Sequence, residues 1–238
     1  MEILNDLVGK NLKIYQDDEY FKFSLESVLL PEFVDVHLRD KMIIDLCSGN
    51  CPIPLILSLK TNAHIYAVEL QKEVYELGKK SIEINQKENQ ITLIQDDVCN
   101  LKNTFSADTF DIITVNPPYF KVLENSLVNK NNIKATARHE NNLTLDKLLE
   151  IAFYLLKTNG SFYMVHRTER LIEILECLKK HHLTPKDIKF IYPSEGKESK
   201  LFMIKATKYG KEGIKIQSGL YIHEEDGSYR NEIQELFK

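Results

Sequence analysis

In this 238-residue chain the most informative segment for the fold is Lys41-Met-Ile-Ile-Asp-Leu-Cys-Ser-Gly-Asn-Cys51. Its first six residues have the apolar character of a short buried strand, and the Ser-Gly-Asn sequence is typical of a tight turn before a helix. A strand that runs into such a turn makes backbone N–H groups available to a ligand. Gly49 has no Cβ, so the chain can pass close to a bound molecule there. The stretch therefore predicts a ligand-binding turn at the carboxyl end of a strand.

The chain after this turn alternates strand-like and helix-like segments. Apolar runs of strand length lie at His64–Glu69, Ile91–Gln95, Phe110–Val115 and Gly160–Val165. Helical periodicity marks four further segments, at Pro52–Leu59, Lys72–Asn89, Leu145–Leu156 (with Thr144 as its N-cap) and Arg167–His181. Strands that alternate with helices imply right-handed crossovers, a parallel sheet and helices on both of its faces.

The last two strand-like runs of the core predict an antiparallel hairpin. Ile188–Tyr192 and Lys200–Thr207 are separated by a turn that is too short for a helix, so the two strands must run in opposite directions. The expected fold class is α/β: a Rossmann-like, seven-stranded, mostly parallel sheet with an antiparallel C-terminal hairpin. Beyond the hairpin we expect strand-like segments at 214–216 and 220–222 and a short tail helix.

Length and composition indicate one globular domain. The chain is 43% hydrophobic and 28% charged, which is ordinary for such a domain. No apolar run approaches the roughly 20 residues of a membrane helix, and the N-terminal residues lack the features of a secretory signal. We expect a cytoplasmic protein with a single domain over residues 1–238, divided into an N-terminal segment (1–40), a core (41–208) and a C-terminal extension (209–238).

Neither the cysteines nor the histidines predict a metal site. The four cysteines have the spacing of neither a disulfide framework nor a zinc site; they are Cys47, Cys51, Cys99 and Cys177. His181 and His182 have no nearby cysteine or acidic ligand partner in the sequence, and histidines at a helix end favour the helix dipole. We therefore expect no metal.

Charge is distributed unevenly along a chain whose net charge is −4. Residues 1–156 hold 16 Lys and Arg against 23 Asp and Glu, whereas residues 157–215 hold 13 against seven. A basic region on an acidic chain is suited to contact phosphates. On charge alone, a solvated lysine face is an equally good interpretation.

Two predicted strands end in carboxylates. Glu69 follows Asp45 by 24 residues and ends the second strand, where a carboxylate can accept two hydrogen bonds from a ribose diol. This arrangement serves dinucleotides and S-adenosylmethionine alike, and the alternative is a solvent-facing carboxylate at a helix start. The third strand ends in Asp96-Asp97-Val98, where a carboxylate can accept from an adenine amino group and Val98 can cover the ring. Turn or cap residues are the alternative there.

The tetrapeptide Asn116-Pro117-Pro118-Tyr119, at the end of the fourth strand, is the most specific motif. The Asn116 side-chain oxygen and the Pro117 carbonyl can accept both N–H bonds of a planar amino group, which points its nitrogen lone pair at a methyl donor. Proline fixes φ and removes competing donors, and Tyr119 offers a flat stacking face. Catalysis then comes from holding the nitrogen and the methyl group about 3–3.5 Å apart and in line.

With these motifs the chain resembles the class I S-adenosylmethionine-dependent amino-methyltransferases. It is most similar to the bacterial family that makes N6-methyladenosine just 3′ of the anticodon in valine tRNA. The resemblance covers nearly the whole chain and is carried by Tyr15–Leu30, Asn116–Lys121, Ala137-Arg-His-Glu140 and Leu155–Arg167. It implies the class I methyltransferase fold, S-adenosylmethionine as cofactor, tRNA as partner, and an N-terminal segment that covers the cofactor.

The resemblance also implies roles for individual residues. Those expected to hold the cofactor are Ser24, Asp45, Ser48, Gly49, Glu69, Asp97, Val98 and Asn116. The expected catalytic residues are Asn116, Pro117, Pro118 and Tyr119, and those expected to bind the substrate are Tyr119, Phe120, Lys121, Arg138 and His139. For Arg138 and His139, a salt bridge within their loop is an equally good interpretation.

The turn departs from the family pattern at two of its three glycines, which are Cys47 and Cys51 in this chain. A Cβ at these positions would weaken cofactor binding or shift the turn. This leaves a non-catalytic RNA-binding module as an alternative. Methylation of guanine in ribosomal RNA, of adenine in DNA or of a release-factor glutamine are alternatives within the enzymes, because the motif recognises a planar amino group and not the polymer.

Overall fold

The computed structural model describes residues 2–7, 9, 12–18, 20, 24–117 and 143–237. The strands are β1 (Glu2–Leu7), β2 (Leu12–Asp17), β3 (Met42–Leu46), β4 (His64–Glu69), β5 (Ile91–Gln95), β6 (Phe110–Val115), β7 (Leu156–Arg167), β8 (Leu183–Tyr192), β9 (Leu201–Lys208), β10 (Lys215–Ile216) and β11 (Leu220–Tyr221). The helices are α1 (Leu25–Phe33), α2 (Pro52–Leu57), α3 (Lys72–Ile84), α4 (Leu101–Thr104), α5 (Leu145–Leu155), α6 (Leu171–Lys180) and α7 (Asn231–Leu236), with 3₁₀ turns at Val98–Asn100 and Thr168–Arg170.

One large sheet has the strand order β10-β8-β9-β7-β6-β3-β4-β5, and β11 also pairs with β8. Strand β9 runs antiparallel to both of its neighbours, whereas the other pairs are parallel. The predicted mostly parallel sheet with an antiparallel hairpin is therefore confirmed. Strands β3 to β9 are the seven that the sequence predicts. The two-residue strands β10 and β11 of the C-terminal extension bring the sheet to nine.

Helices cover both faces of the sheet, as predicted. Neighbouring residues Ile43 and Ile44 of β3 are both fully buried, but they belong to opposite apolar clusters because side chains alternate along a strand. The cluster around Ile43 includes residues of α1 and α2, and the cluster around Ile44 includes residues of α5 and α6. Strands buried on both faces read as continuous apolar runs, which is why these segments were recognisable in the sequence.

Local chemistry explains where the predicted helices begin and end. Thr144 is the N-cap of α5, and its side chain accepts a hydrogen bond from the Lys147 N–H at 3.2 Å, as predicted. Helix α3 ends at Ile84 and not at Asn89, because Gln86 adopts a left-handed φ of 56°. Helix α6 begins at Leu171 after a 3₁₀ turn, a few residues later than expected.

The N-terminal segment forms an antiparallel hairpin of β1 and β2 that packs beside α3. The Tyr15 N–H donates to Ser81 Oγ at 2.9 Å, and the Lys13 N–H donates to Asn85 Oδ1 at 2.9 Å. Asn50, in the turn after β3, donates from Nδ2 to the Tyr15 carbonyl at 2.8 Å. The N-terminal hairpin is thus bonded directly to the turn between β3 and α2.

The C-terminal extension lies along the edge strand β8. Lys215 and Ile216 pair with one part of β8, and Leu220 and Tyr221 pair with its end. Ile233 of α7 is fully buried in the same apolar cluster as Ile43. Within the described part of the chain, no helix combines the length and apolarity needed to span a bilayer.

Candidate functional site

The turn between β3 and α2 has an unusual backbone. Cys47, Gly49 and Cys51 all adopt left-handed conformations, with φ of 57°, 57° and 70°. Glycine takes this conformation freely, whereas a residue with a Cβ is disfavoured there by about 1–2 kcal/mol. The turn therefore keeps the geometry that three glycines would favour, although two of its positions are cysteines.

Ser48 and Glu69 hold this turn in place. Ser48 donates from Oγ to the Asp45 carbonyl at 2.9 Å and from its N–H to the Val68 carbonyl at 2.9 Å. Glu69, at the end of β4, accepts from the Gly49 N–H through Oε2 at 2.9 Å and from the Gln71 N–H through Oε1 at 2.8 Å. Glu69 is only 7% exposed and both carboxylate oxygens accept backbone N–H groups, so it is not the solvent-facing carboxylate of the alternative interpretation.

Asp45 is a fully buried carboxylate beneath the turn. Its Oδ1 accepts from Thr114 Oγ1 at 2.6 Å, and among the described residues its Oδ2 has no hydrogen-bond partner. Burial raises the pKa of Asp45 to about 7; the hydroxyl hydrogen bond from Thr114 opposes this shift, and the Glu69 charge adds to it. A buried acceptor of this kind favours a hydrogen-bond donor or cation arriving from a ligand.

The space above the turn is open. An ideal Cβ built on Gly49 would have no heavy atom within 4 Å, so no side chain fills this position. The space around the Cys51 side chain is instead filled, because a Cβ built on Gly78 of α3 would lie 3.0 Å from the Cys51 Sγ. Gly78 thus leaves room for the side chain of Cys51.

Asp97 and Val98 lie at the start of the 3₁₀ turn after β5. The Asp97 Oδ1 accepts from the Cys99 N–H at 2.8 Å and so caps this turn. Capping is the alternative to adenine binding that the sequence offers for this residue. Asp96 accepts in turn from the Asp97 N–H at 2.7 Å. Val98 is 5% exposed. A contact of Asp97 with an adenine stays a prediction.

Asn116 follows β6 at the same edge of the sheet. Its Nδ2 donates to Ser27 Oγ, 3.1 Å away in α1, and Ser27 is buried. Because this bond uses the amide nitrogen, Oδ1 is the side of Asn116 that can accept from a substrate. Ser24 is the N-cap residue of α1, but its side chain makes no capping hydrogen bond.

Several predicted residues lie outside the described residues. Pro117 is described and buried, but the rest of the motif and the polar loop after it are not; those predicted residues are Pro118, Tyr119, Phe120, Lys121, Arg138 and His139. Their predicted roles in binding the target base and the RNA stay predictions.

Sequence reasoning missed three polar residues near this edge. Ser27 bonds Asn116, Thr114 bonds Asp45, and His166 lies two residues beyond Met164, the β7 partner of Val115. His166 is fully buried, and burial together with the charge of Arg170 lowers its pKa to about 4. Thr114 and His166 each interrupt an apolar strand, which is a usable sequence signal. Ser27 has no such signal.

One expectation about the histidines is wrong. His181 does have an acidic partner, because its Nε2 lies 2.8 Å from the Asp146 Oδ1. The expectation of no nearby cysteine is wrong as well, because Cys177 precedes His181 by only four residues, and its Sγ lies 3.7 Å from the same Asp146 Oδ1. The partner was missed because Asp146 is 35 residues away in the sequence and on another helix.

The order and direction of the strands define the class: this is the fold of the class I S-adenosylmethionine-dependent methyltransferases. A predicted O-methyltransferase from Agrobacterium tumefaciens superposes with a TM-score of 0.68 at 17% identity, over 88% of this chain and 94% of that one. The M. jannaschii protein TYW2, in complex with AdoMet, superposes with a TM-score of 0.57 at 15% identity, over 87% and 85%.

Sequence comparison identifies the family within that class. A tRNA1(Val) (adenine(37)-N6)-methyltransferase from Haemophilus influenzae is 30% identical over 236 residues, which cover 96% of this chain and 95% of that protein. A protein of the same name from Phocaeicola vulgatus is 28% identical over 230 residues, or 96% and 82%. Residues 30–139 match the family described as Conserved hypothetical protein 95. The chain belongs to the tRNA1(Val) (adenine(37)-N6)-methyltransferase family.

Proposed function

We propose that the protein transfers a methyl group from S-adenosylmethionine to the N6 nitrogen of an adenosine in tRNA. The observation that carries the proposal is the hydrogen bond from Asn116 to Ser27, which leaves the Asn116 amide oxygen as the acceptor for a substrate amine. The names of the relatives support adenosine 37 of a valine tRNA as the target.

The turn after β3 fits S-adenosylmethionine in two respects. The unpartnered Oδ2 of buried Asp45 is suited to a donor or cation of the cofactor, and the open space above Gly49 gives it room. Glu69 is proposed to bind the ribose while keeping the turn in shape. Ser24, Ser48, Asp97 and Val98 complete the proposed cofactor site, with Val98 against the adenine ring. The bound cofactor supplies an electrophilic methyl group on a sulfonium.

Asn116 and Pro117 are proposed to orient the target amine. The Asn116 Oδ1 and the Pro117 carbonyl oxygen would each accept one N–H bond of the exocyclic amino group. The nitrogen lone pair, otherwise delocalised into the ring, is then directed at the methyl group. Ser27 acts through Asn116, because its hydroxyl prevents the amide from turning its nitrogen toward the base. The nitrogen gains the methyl group and releases one proton to solvent.

Pro118, Tyr119 and the loop that follows are proposed to complete the substrate side. Tyr119 would stack on the target base, and Phe120, Lys121, Arg138 and His139 would contact the RNA. Stacking of a base on an aromatic ring is worth about 1–3 kcal/mol.

The basic region is proposed to bind phosphates through only part of its lysines. Lys208 is buried and donates to the Leu156 carbonyl at 2.8 Å, and Lys205 pairs with Asp35 at 3.1 Å. These two lysines stabilise the fold and are not available to RNA. The exposed lysines of the region are Lys179, Lys180, Lys197, Lys200, Lys211 and Lys215. Because Lys180 pairs with Asp146 and Lys200 pairs with Glu198, the other four are the ones we assign to phosphates.

The test is transfer of labelled methyl from S-adenosylmethionine to unmodified valine tRNA, beside a variant tRNA whose adenosine 37 is replaced. The proposal expects label on the first tRNA and none on the second. A calorimetric titration with S-adenosylhomocysteine is run on the same preparation. Binding of S-adenosylhomocysteine without methyl transfer to either tRNA would contradict the proposed substrate. Ribosomal RNA, DNA and release factors would then be the substrates to test. No binding at all would favour the non-catalytic alternative.

We further propose that residues 1–238 act as one domain in the cytoplasm. Residues 1–40 would cover the cofactor, 41–208 would form the catalytic core, and 209–238 would form an extension. The four cysteines are free, as is usual in a reducing compartment.

A further inference from the structure

Three residues of different chemistry converge between α5 and α6. Asp146 is the second residue of α5, Cys177 lies in the last turn of α6, and His181 is its C-cap. The Asp146 Oδ1 lies 2.8 Å from His181 Nε2 and 3.7 Å from Cys177 Sγ. A carboxylate oxygen, a thiol sulfur and an imidazole nitrogen therefore all lie within 4.8 Å of one another.

The spacing within α6 explains the convergence. Cys177 and His181 are four residues apart, so their side chains project from the same face of the helix. Asp146 reaches that face from the neighbouring helix. Thiolate, imidazole and carboxylate are the three side-chain ligands of zinc, with metal–ligand distances of about 2.0–2.3 Å. Atoms that lie within 4.8 Å of one another can surround such an ion after small side-chain rotations.

We propose that Asp146, Cys177 and His181 form a site for a divalent cation of the zinc type, which joins the start of α5 to the end of α6. The Asp146 side chain is 52% exposed, so water can supply the fourth ligand of a tetrahedral ion. On binding, the Cys177 thiol becomes a thiolate and its proton passes to solvent. This site is separate from the proposed methyl-transfer site and does not rest on its function.

Lys180 is a built-in competitor for the same carboxylate. Its Nζ lies 2.6 Å from the Asp146 Oδ1, where it neutralises the charge that the cation would use. Binding of the ion requires this ammonium group to turn away into solvent, and the Lys180 side chain, which is 63% exposed, has room to do so. Removing Lys180 should therefore strengthen binding of the cation, because Asp146 then has no competing ammonium group at this oxygen.

The experiment is a titration of the full chain, purified free of metal, with Co²⁺ as the spectroscopic substitute for Zn²⁺. A cobalt–thiolate bond gives a charge-transfer band in the near ultraviolet, and Zn²⁺ should displace the cobalt and remove the band. Cys177→Ser should abolish the band, whereas Cys99→Ser should keep it. His181→Asn should weaken binding by at least the roughly 10- to 100-fold that follows loss of an outer partner of a metal site. The adjacent His182→Asn is its matched control and should bind as the unmodified chain does.

Lys180→Met and Lys179→Met form the second matched pair. Lys180→Met should bind Co²⁺ about two- to fivefold more tightly, because it removes one exposed ion pair of Asp146, whereas Lys179→Met should not change the affinity. Thermal unfolding with and without Zn²⁺ shows that each variant is folded, and only metal-binding variants should gain Tm. The absence of a thiolate band in the unmodified chain, or its persistence in Cys177→Ser, overturns the proposal. So does equal affinity in Lys180→Met and Lys179→Met.

Discussion

The two halves of the candidate site are built in different ways. On the cofactor half, Asp45, Ser48, Gly49 and Glu69 are connected by hydrogen bonds that run mainly between a side chain and a nearby backbone group. On the base half, Asn116 is held by one side-chain bond to a helix that precedes it by 89 residues. The cofactor half is therefore held by β4 and β6, the strands that pair directly with β3, whereas the base half depends on the docking of α1.

Asn116→Ala should break the base half alone. Loss of the acceptor that orients the amine is expected to lower turnover roughly 10³-fold, as for removal of one preorganised polar group from other active sites. The affinity for S-adenosylhomocysteine, measured by calorimetry, should stay nearly unchanged. Normal turnover in this variant would remove Asn116 from the mechanism.

Asp45→Asn should remove a pH dependence of stability that originates in the cofactor half. Because the folded-state pKa of Asp45 is about 7 and its ordinary value is 3.8, the folded protein binds the proton more tightly than the unfolded chain. The stability that this proton contributes is complete below about pH 4 and is lost as the pH rises to about 7. Between about pH 5 and pH 8 the free energy of unfolding of the unliganded wild-type protein should fall by about 3 kcal/mol because of this residue.

The measurement for Asp45 is the free energy of unfolding in urea at several pH values. Asp45→Asn should lack this loss and should be at least as stable as the wild type above pH 7. It should also bind S-adenosylhomocysteine more weakly, because the neutral amide cannot replace the carboxylate opposite a cation. Identical pH profiles for the two proteins would contradict the assignment of a raised pKa to Asp45.

Ser27→Ala should reproduce the Asn116 defect in weaker form. Removing the hydroxyl costs about 1 kcal/mol of hydrogen bonding, so kcat should fall about five- to tenfold. The KM for S-adenosylmethionine should stay constant, and Ser27→Thr, which keeps a hydroxyl, should recover part of kcat. Ser24→Ala is the matched control three residues earlier, and it should raise the KM of the cofactor instead. A KM effect of Ser27→Ala equal to that of Ser24→Ala would place Ser27 in the cofactor half.

The smallest effect concerns the packing of Cys51 on Gly78. Gly78→Ala should lower stability, because its Cβ would lie 3.0 Å from the Cys51 Sγ. In a Cys51→Gly background, the same substitution should cost less. We expect a coupling of about 1 kcal/mol in a double-mutant cycle of unfolding free energies. Additive effects would show that the two residues do not share this space.

Much of the sheet could be predicted, because its strands are buried on both faces and have short apolar runs. The end of α3 could not be predicted, since Gln86 gives no sequence signal for its left-handed backbone. The sequence predicts extension strands at 214–216 and 220–222, and they lie at 215–216 and 220–221. Their pairing with β8 is a long-range contact that local sequence does not encode.

In the candidate site, too, local features could be predicted from the sequence and long-range contacts could not. The turn residues are close in sequence and their geometry follows from the strand–turn–helix pattern. Ser27 with Asn116, and Asp146 with His181, meet only because distant elements pack together. The roles of the predicted site residues, the domain boundaries and the contacts of residues 118–142 stay predictions.

The C-terminal extension covers the sheet edge at which molecules would otherwise pair with one another at high concentration. Strand β8 would otherwise present unpaired backbone N–H and C=O groups along the rim of a large sheet, which is a template for pairing between molecules. The short strands β10 and β11 occupy that rim, and Tyr221 stacks on Tyr192 with ring centroids 5.1 Å apart. Deleting residues 209–238 should therefore produce self-association and aggregation.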